Sequence, residues 1–205
     1  MKLKSFNTLI LALNKETNSI ENKGIDGNNL KGYVSIRFIC LILTLFGLIL
    51  LNKGFDKDFS GYLISALSIY IGLVMTLITF MFDKFNSKDF SYDNVDEKEK
   101  LILLKNFYKK FITISSQAVF NSIICIFLLS ISLSISKMNI DIIKVLKGID
   151  IKKEIDFWLS IKMFLILSYR AYTLYVIFRL FFRVIYIVVS SFNYFNKEMD
   201  KMKIT

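Results

Sequence analysis

The sequence predicts an all-α, polytopic membrane protein: four transmembrane helices in a bundle, preceded by a cytoplasmic amphipathic N-terminal helix. Three observations carry this. Of the 205 residues, 54% are hydrophobic, above the roughly 45–50% of an average soluble domain. The apolar residues are concentrated in four blocks, Val34–Leu51, Tyr62–Phe82, Phe111–Ile135 and Phe157–Phe192. Each approaches or exceeds the roughly 18–20 residues that cross hydrocarbon. No proline interrupts any of them, and no stretch of ordinary domain size remains. The chain therefore reads as a single membrane domain, 1–205.

Residues 1–33 are polar and carry five lysines. Within 2–22, Leu3, Phe6, Leu9, Ile10, Leu13 and Ile20 recur with helical spacing, which predicts an amphipathic helix. Lys2, Lys4 and Lys15 lie on its other side. Such a helix suits a headgroup surface or the cytoplasmic face of a neighbouring subunit. The turn "GIDGNN" (24–29) ends it. "TLILAL" is followed by "NKETNS" instead of a small-residue cleavage site, so the first span is expected to act as its own insertion signal.

The first span is placed at 34–51, with Arg37 near its inner end, where it can reach a headgroup. A short loop, 52–61, makes the first two spans antiparallel neighbours. The second span is 62–82. The charged segment 83–110 follows. Asn94 and Glu97 within it resemble a capping box, from which a helix can run unbroken into the third span, 111–135. The segment 136–162 lies on the outer side, and 137–156 within it reads as a short interfacial helix and turn. The fourth span is 163–192 and the tail 193–205. Lys and Arg number fifteen in the N-terminal, 83–110 and C-terminal segments, against eight in 52–61 and 136–162. The positive-inside bias places both termini in the cytoplasm.

The second span carries a patterned stripe. Gly61, Ser65, Ser68, Gly72, Thr76, Thr79 and Asp83 are spaced 4, 3, 4, 4, 3, 4, so all project from one side of a helix. In lipid, small residues let helix backbones approach closely. The stripe reads as packing inside the protomer or, alternatively, as an oligomer interface or water-lined path. Cys40, Thr44 and Gly47 line one side of the first span. Ser115, Ala118, Ser122 and Cys125 line one side of the third. Gln117 and Asn121, one turn apart, are polar groups inside hydrocarbon that need partners. They read as interhelical glue, or as a selectivity ring if several copies surround a pore.

"SYRAYTLYVIFRLFFRVIY" (168–186) places three arginines in an apolar tract. Ser168, Tyr172, Tyr175, Arg179, Arg183, Tyr186 and Ser190 make one face, with Arg170 nearly opposite. An arginine at mid-bilayer costs at least about 2.5–3.5 kcal/mol on insertion scales. Arg179 and Arg183 therefore either reach the cytoplasmic headgroups from the end of a span at 164–182, the cheaper arrangement, or lie deep and find carboxylates, carbonyls or water. The cheaper arrangement also places these arginines near the level of Asp83, so an ion pair of Asp83 with Arg179 or Arg183 is expected there; a pore lining is the alternative. The arginine spacings of nine and four do not fit a voltage sensor, whose cations recur every third residue.

The sequence has no histidine, and no glycine-rich phosphate loop, zinc-ligand spacing, nucleophile elbow or paired intramembrane carboxylates. No catalytic residue, metal or cofactor is expected, and the chain reads as a non-enzyme. The net charge of +10 fits lysines flanking spans at anionic headgroups, not nucleic acid. Cys40 and Cys125 both fall in spans and read as small apolar packing residues, not a disulfide.

Two stretches, "FSGYLISALSIYIGLVMTLITFMFDKF" and "KNFYKKFITISSQAVFNSIICIFLL", place a span ending in Asp-Lys before a lysine-rich connection and a Ser-rich span. Over about half the chain this pattern resembles small four-span proteins of bacterial phage-defence operons, of the Kiwa membrane-subunit type. The resemblance implies a homo-oligomeric inner-membrane protein that responds to infection and works with a cytoplasmic partner protein. It defines no active-site residues. With that resemblance, the leading reading is a sensor, effector or membrane anchor whose partners are the lipid bilayer, copies of itself and a cytoplasmic protein, a role that needs no catalytic residues. The alternatives are an ion channel or pore lined by the polar faces of the third and fourth spans, and then a small transporter.

Overall fold

A computed structural model describes residues 3–23, 36–51, 54–87, 95–134 and 157–199. Among them there are five α-helices and no strand: α1 (Leu3–Lys23), α2 (Ile36–Leu50), α3 (Lys57–Asn86), α4 (Val95–Ser134) and α5 (Phe157–Met199). The all-helical class is as the sequence predicts. The turn 24–29, Asn94 and most of the 136–162 segment lie outside the described residues.

Three of the helices contain apolar stretches long enough to cross a membrane: Lys57–Asn86, Leu104–Ser134 and Ser160–Asn193. The fourth expected span is, within the described residues, a shorter apolar helix. α2 has 15 residues, about 22 Å at 1.5 Å per residue, against roughly 30 Å of hydrocarbon. Its end is set locally. The amide of Leu51 donates to the Gly47 carbonyl (2.8 Å) and that of Gly54 to the Leu51 carbonyl (2.9 Å). Gly54 adopts φ 98°, a left-handed conformation that only glycine takes without steric cost. Asp56 then starts α3. Its carboxylate accepts from the Lys57 amide at 2.8 Å, and its carbonyl accepts from the Ser60 amide at 2.9 Å.

The third span follows the expected course. α4 runs unbroken for 40 residues, so the charged segment from Val95 onward and the apolar span form one rod. It is also the most enclosed of the three long helices. In its most apolar window 56% of residues are buried, against 39% in α5 and 11% in α3. α4 is therefore the core rod and α3 the peripheral one.

The helices contribute to two compact units. One comprises Ile36–Tyr70 and Asn121–Leu180. Here Cys40, Thr44 and Gly47 of α2 are buried. A Cβ placed on Gly47 would lie 3.3 Å from Leu174 Cδ1 and 3.5 Å from Phe178 Cε2, so α2 and α5 touch where a side chain is missing. The Tyr169 hydroxyl donates to the Leu128 carbonyl, tying α5 to α4. Cys125 and Leu129 of α4 and Ile166, Arg170 and Thr173 of α5 are buried.

The second unit comprises residues 1–35, 71–120 and 181–205. Val74 and Met81 of α3, Tyr108, Phe111, Ile114 and Ala118 of α4 and Ile187 of α5 form its buried apolar centre. The rings of Phe85 and Tyr108 meet edge to face with centroids 5.2 Å apart.

Several hydroxyls inside these apolar helices are satisfied within their own helix, whereas those of Ser60, Ser115 and Ser190 are buried without a partner among the described residues. Thr44 donates to the Cys40 carbonyl at 2.7 Å, Thr113 to Lys109 at 2.8 Å, Thr173 to Tyr169 at 2.9 Å and Ser191 to Ile187 at 2.8 Å. Each is an i to i−4 bond. Serine and threonine make this bond in helix interiors, and it lets them sit in hydrocarbon without an orphan donor.

Candidate assembly face and buried polar cluster

The three small-residue stripes divide into two kinds. Cys40, Thr44 and Gly47 face inward on α2. Ser115, Ala118, Ser122 and Cys125 are each 0% exposed on α4. These two close-approach faces are used inside the protomer. The α3 stripe is not. Gly61 is half-buried, and Ser65, Ser68, Gly72, Thr76, Thr79 and Asp83 are all exposed. A Cβ built at Gly61 or at Gly72 meets nothing within 4 Å. α3 turns a different seam inward, through Ser60, Leu67, Val74 and Met81. At 100° per residue this seam lies roughly 150° around the helix from the stripe. Packing inside the protomer, the first reading of that stripe, is therefore corrected: the inward seam repeats every seventh residue through larger side chains, and the small residues are left outside.

The stripe's hydroxyls are internally bonded as well. Ser65 donates to the Gly61 carbonyl (3.1 Å), Ser68 to Ile64 (2.9 Å), Thr76 to Gly72 (3.0 Å) and Thr79 to Met75 (3.0 Å). The face thus presents small surfaces whose donors are already used.

Within the second unit, α1 brings three polar side chains to α4 and α5. Gln117 Nε2 donates to Asn14 Oδ1 at 2.7 Å. Lys109 Nζ lies 3.5 Å from Glu16 Oε1. Arg183 Nε donates to Glu21 Oε1 at 2.9 Å, with the two side chains only 3% and 11% exposed. Thr17 of α1 is fully buried and donates to its own Leu13 carbonyl at 2.8 Å.

This cluster revises two expectations. The partner of Arg183 is Glu21 and not Asp83, which is exposed at the end of the α3 stripe. Arg183 does not reach outward from the end of a span either, because α1 covers it and supplies the carboxylate. Arg179 is half-buried, as is Asn121, while Gln117 is buried against α1. Arg37, by contrast, is exposed, as a headgroup-reaching side chain must be. The polar-aromatic face of α5 changes character along its length: Ser168 and Tyr172 are exposed, Tyr175 and Arg179 half-buried, Arg183 and Ser190 buried. Arg170, on the other side, is buried too.

The faces of α1 are likewise not divided as its apolar spacing implies. Leu9 and Leu11 are exposed. Ile10, Leu13 and Ile20 are half-buried beside Asn14, Thr17 and Glu21. The overlooked signal is a polar stripe at 14, 17 and 21, spaced 3 and 4, on the side of the helix that the apolar reading assigned to a membrane or neighbour.

The two ion pairs differ in worth. Lys109 and Glu16 keep 71% and 52% of their side-chain surface exposed, and exposed pairs contribute about 0–1 kcal/mol. Lys109→Ala is therefore expected to shift unfolding stability by less than about 1 kcal/mol, measured by denaturant titration in detergent. Glu21–Arg183 is largely withdrawn from solvent. Removing one partner of such a pair is costly because the other charge stays buried.

No family model, characterised protein or solved structure matches the chain. No grouping of three or more His, Cys, Asp or Glu able to hold a metal occurs among the described residues. Fold and composition together point to the class: all-helical among the described residues, with three helices long and apolar enough to cross a membrane.

Proposed function

We propose that this chain is a non-enzymatic inner-membrane subunit that assembles with copies of itself through the outer face of α3. It acts as a sensor, effector or anchor for a cytoplasmic partner. The observation that carries the reading is the exposed seven-place stripe from Gly61 to Asp83, with open space over Gly61 and Gly72. Without a hydrophobic drive between helices in lipid, association depends on close packing at such residues. Hydroxyls already bonded to their own helix fit a dry helix–helix contact better than a water path.

The test is disulfide formation in native membranes. Ser68→Cys is expected to give a dimer on oxidation. Leu73→Cys, exposed but about 100° away around the helix, is expected to stay monomeric. The natural Cys40 and Cys125 are buried and contribute no background. Equal crosslinking at both positions would remove the stripe as an interface.

In this reading α2 crosses the bilayer as the fourth span. On a helix of 15 residues, Phe38, Leu41, Ile42, Leu45, Phe46, Ile49 and Leu50 are each at least 50% exposed. So much continuous apolar surface does not remain in water. A hydrocarbon layer covers it, and the bilayer thins or flanking residues reach out to absorb the mismatch. Four spans put both chain ends on the cytoplasmic side, in agreement with the fifteen-to-eight bias of Lys and Arg. Reporter tags at the two ends are expected to give the same sidedness; opposite sidedness would take α2 out of the set of spans. A role in phage defence with a cytoplasmic partner follows from the resemblance of the second and third spans to Kiwa-type membrane subunits. Recovery of a co-encoded soluble protein with the tagged chain, lost on deleting residues 83–100, tests it.

A further inference from the structure

α1 is attached unlike any other helix here. Among its described side chains only Thr17 is fully buried. Its described apolar residues are half-buried or exposed, and its polar contacts to α4 and α5 include Asn14, Glu16 and Glu21. Elements with few buried apolar contacts open locally at low cost while the rest of the fold stays intact. Two of the side chains α1 meets are cationic, the buried Arg183 and the exposed Lys109. Lys109 stands near the start of the apolar stretch Leu104–Ser134, and Arg183 toward the end of Ser160–Asn193. Glu16 and Glu21, five residues apart on α1, bring both cations to the same stretch of that helix. A guanidinium binds phosphate oxygens as readily as a carboxylate and presents a flat fork of donors suited to two of them.

We propose that α1 is a releasable strap. The Glu21 carboxylate occupies Arg183 as an internal stand-in for a phosphate oxyanion, and a phosphate-bearing anion that reaches Arg183 and Lys109 displaces it. In a bilayer the abundant anion of this kind is an acidic lipid headgroup, and basic sites between helices near the cytoplasmic surface suit such headgroups. Docked α1 and bound anion exclude one another, so each weakens the other by the same factor. Once released, α1 offers Leu9, Leu13 and Ile20, which share one side of the helix, as an apolar edge by which it can rest on the membrane. The strap does not depend on self-assembly through α3, and its test reads a different segment.

Hydrogen exchange of the full chain in lipid nanodiscs tests this. Amides of residues 3–23 are expected to exchange several-fold faster in equal parts phosphatidylglycerol and phosphatidylcholine than in phosphatidylcholine alone, with α4 and α5 unchanged. Glu21→Gln is expected to make α1 fast in both lipids. Glu21→Asp, which keeps the charge and shortens the reach, should give an intermediate rate if the glutamine variant does not fold. Arg183→Gln combined with Lys109→Gln is expected to abolish the response to phosphatidylglycerol. Acceleration by inorganic phosphate in phosphatidylcholine discs would assign the competing anion to solution instead of the lipid. An α1 exchange rate that ignores both phosphatidylglycerol and inorganic phosphate, or a response that survives loss of both cations, overturns the proposal.

Discussion

Gly47→Leu is expected to destabilise the protomer by about 1–3 kcal/mol, the usual cost of forcing extra carbon into a packed site. A Cβ at this position already stands 3.3 Å from Leu174 Cδ1 and 3.5 Å from Phe178 Cε2. The remaining three carbons of leucine need room that Leu174, itself 5% exposed, must vacate. Against this stands a gain of roughly 0.8–1 kcal/mol from replacing glycine inside a helix, so the net loss is smaller than the steric cost alone. Gly47→Ala isolates that balance. It adds one carbon, gains the helix propensity and asks Leu174 to yield by a few tenths of an ångström, so it is expected to stay within about 1 kcal/mol of the wild type. Unfolding in a denaturing-detergent titration orders the three proteins. A leucine variant as stable as wild type would mean that α2 does not rest on α5 at this point.

The same residue types carry opposite meanings elsewhere in the chain, and this marks how far the sequence could be read. Cys40–Thr44–Gly47, Ser115–Ala118–Ser122–Cys125 and the stripe from Gly61 to Asp83 share one spacing logic. That logic says only that a backbone can come close; it does not say whose. The deciding information is the rest of each helix. α4 carries large buried residues such as Tyr108, Phe111, Ile114 and Leu129 as well as its small ones, so it is enclosed. α3 offers a second seam, Leu67, Val74 and Met81, and that seam wins the interior because larger side chains fill more of it. The helical class and the continuity of α4 from the charged segment into its span were legible because no breaker intervenes. The Arg183 partner was not, for a different reason. Glu21 and Arg183 are 162 residues apart, and nothing local to either names the other. Only the 14–17–21 polar spacing hinted that α1 turns a polar side inward.

Gly72→Leu is expected to abolish self-association while leaving the protomer at least as stable as before. Its Cβ meets nothing within 4 Å, so no internal contact is disturbed. Leaving glycine inside a helix stabilises the helix by roughly 0.8–1 kcal/mol. Loss of a larger species therefore cannot be ascribed to a damaged monomer, which is the usual ambiguity of such substitutions. At a close-packed interface the effect has the other sign. Helices that approach through small residues are held apart by a leucine, and with symmetric copies each interface meets the intrusion from both sides. Ser68→Leu, one turn away, acts on the same surface and removes a hydroxyl that donates only to Ile64. Because the two positions share one interface, their effects should not add. Measuring mass in detergent or nanodiscs alongside unfolding stability separates the outcomes. A smaller species with unchanged or raised stability supports the α3 face as the assembly surface. Unchanged mass in both variants means that this stripe faces lipid, and that any assembly of the protein uses another side.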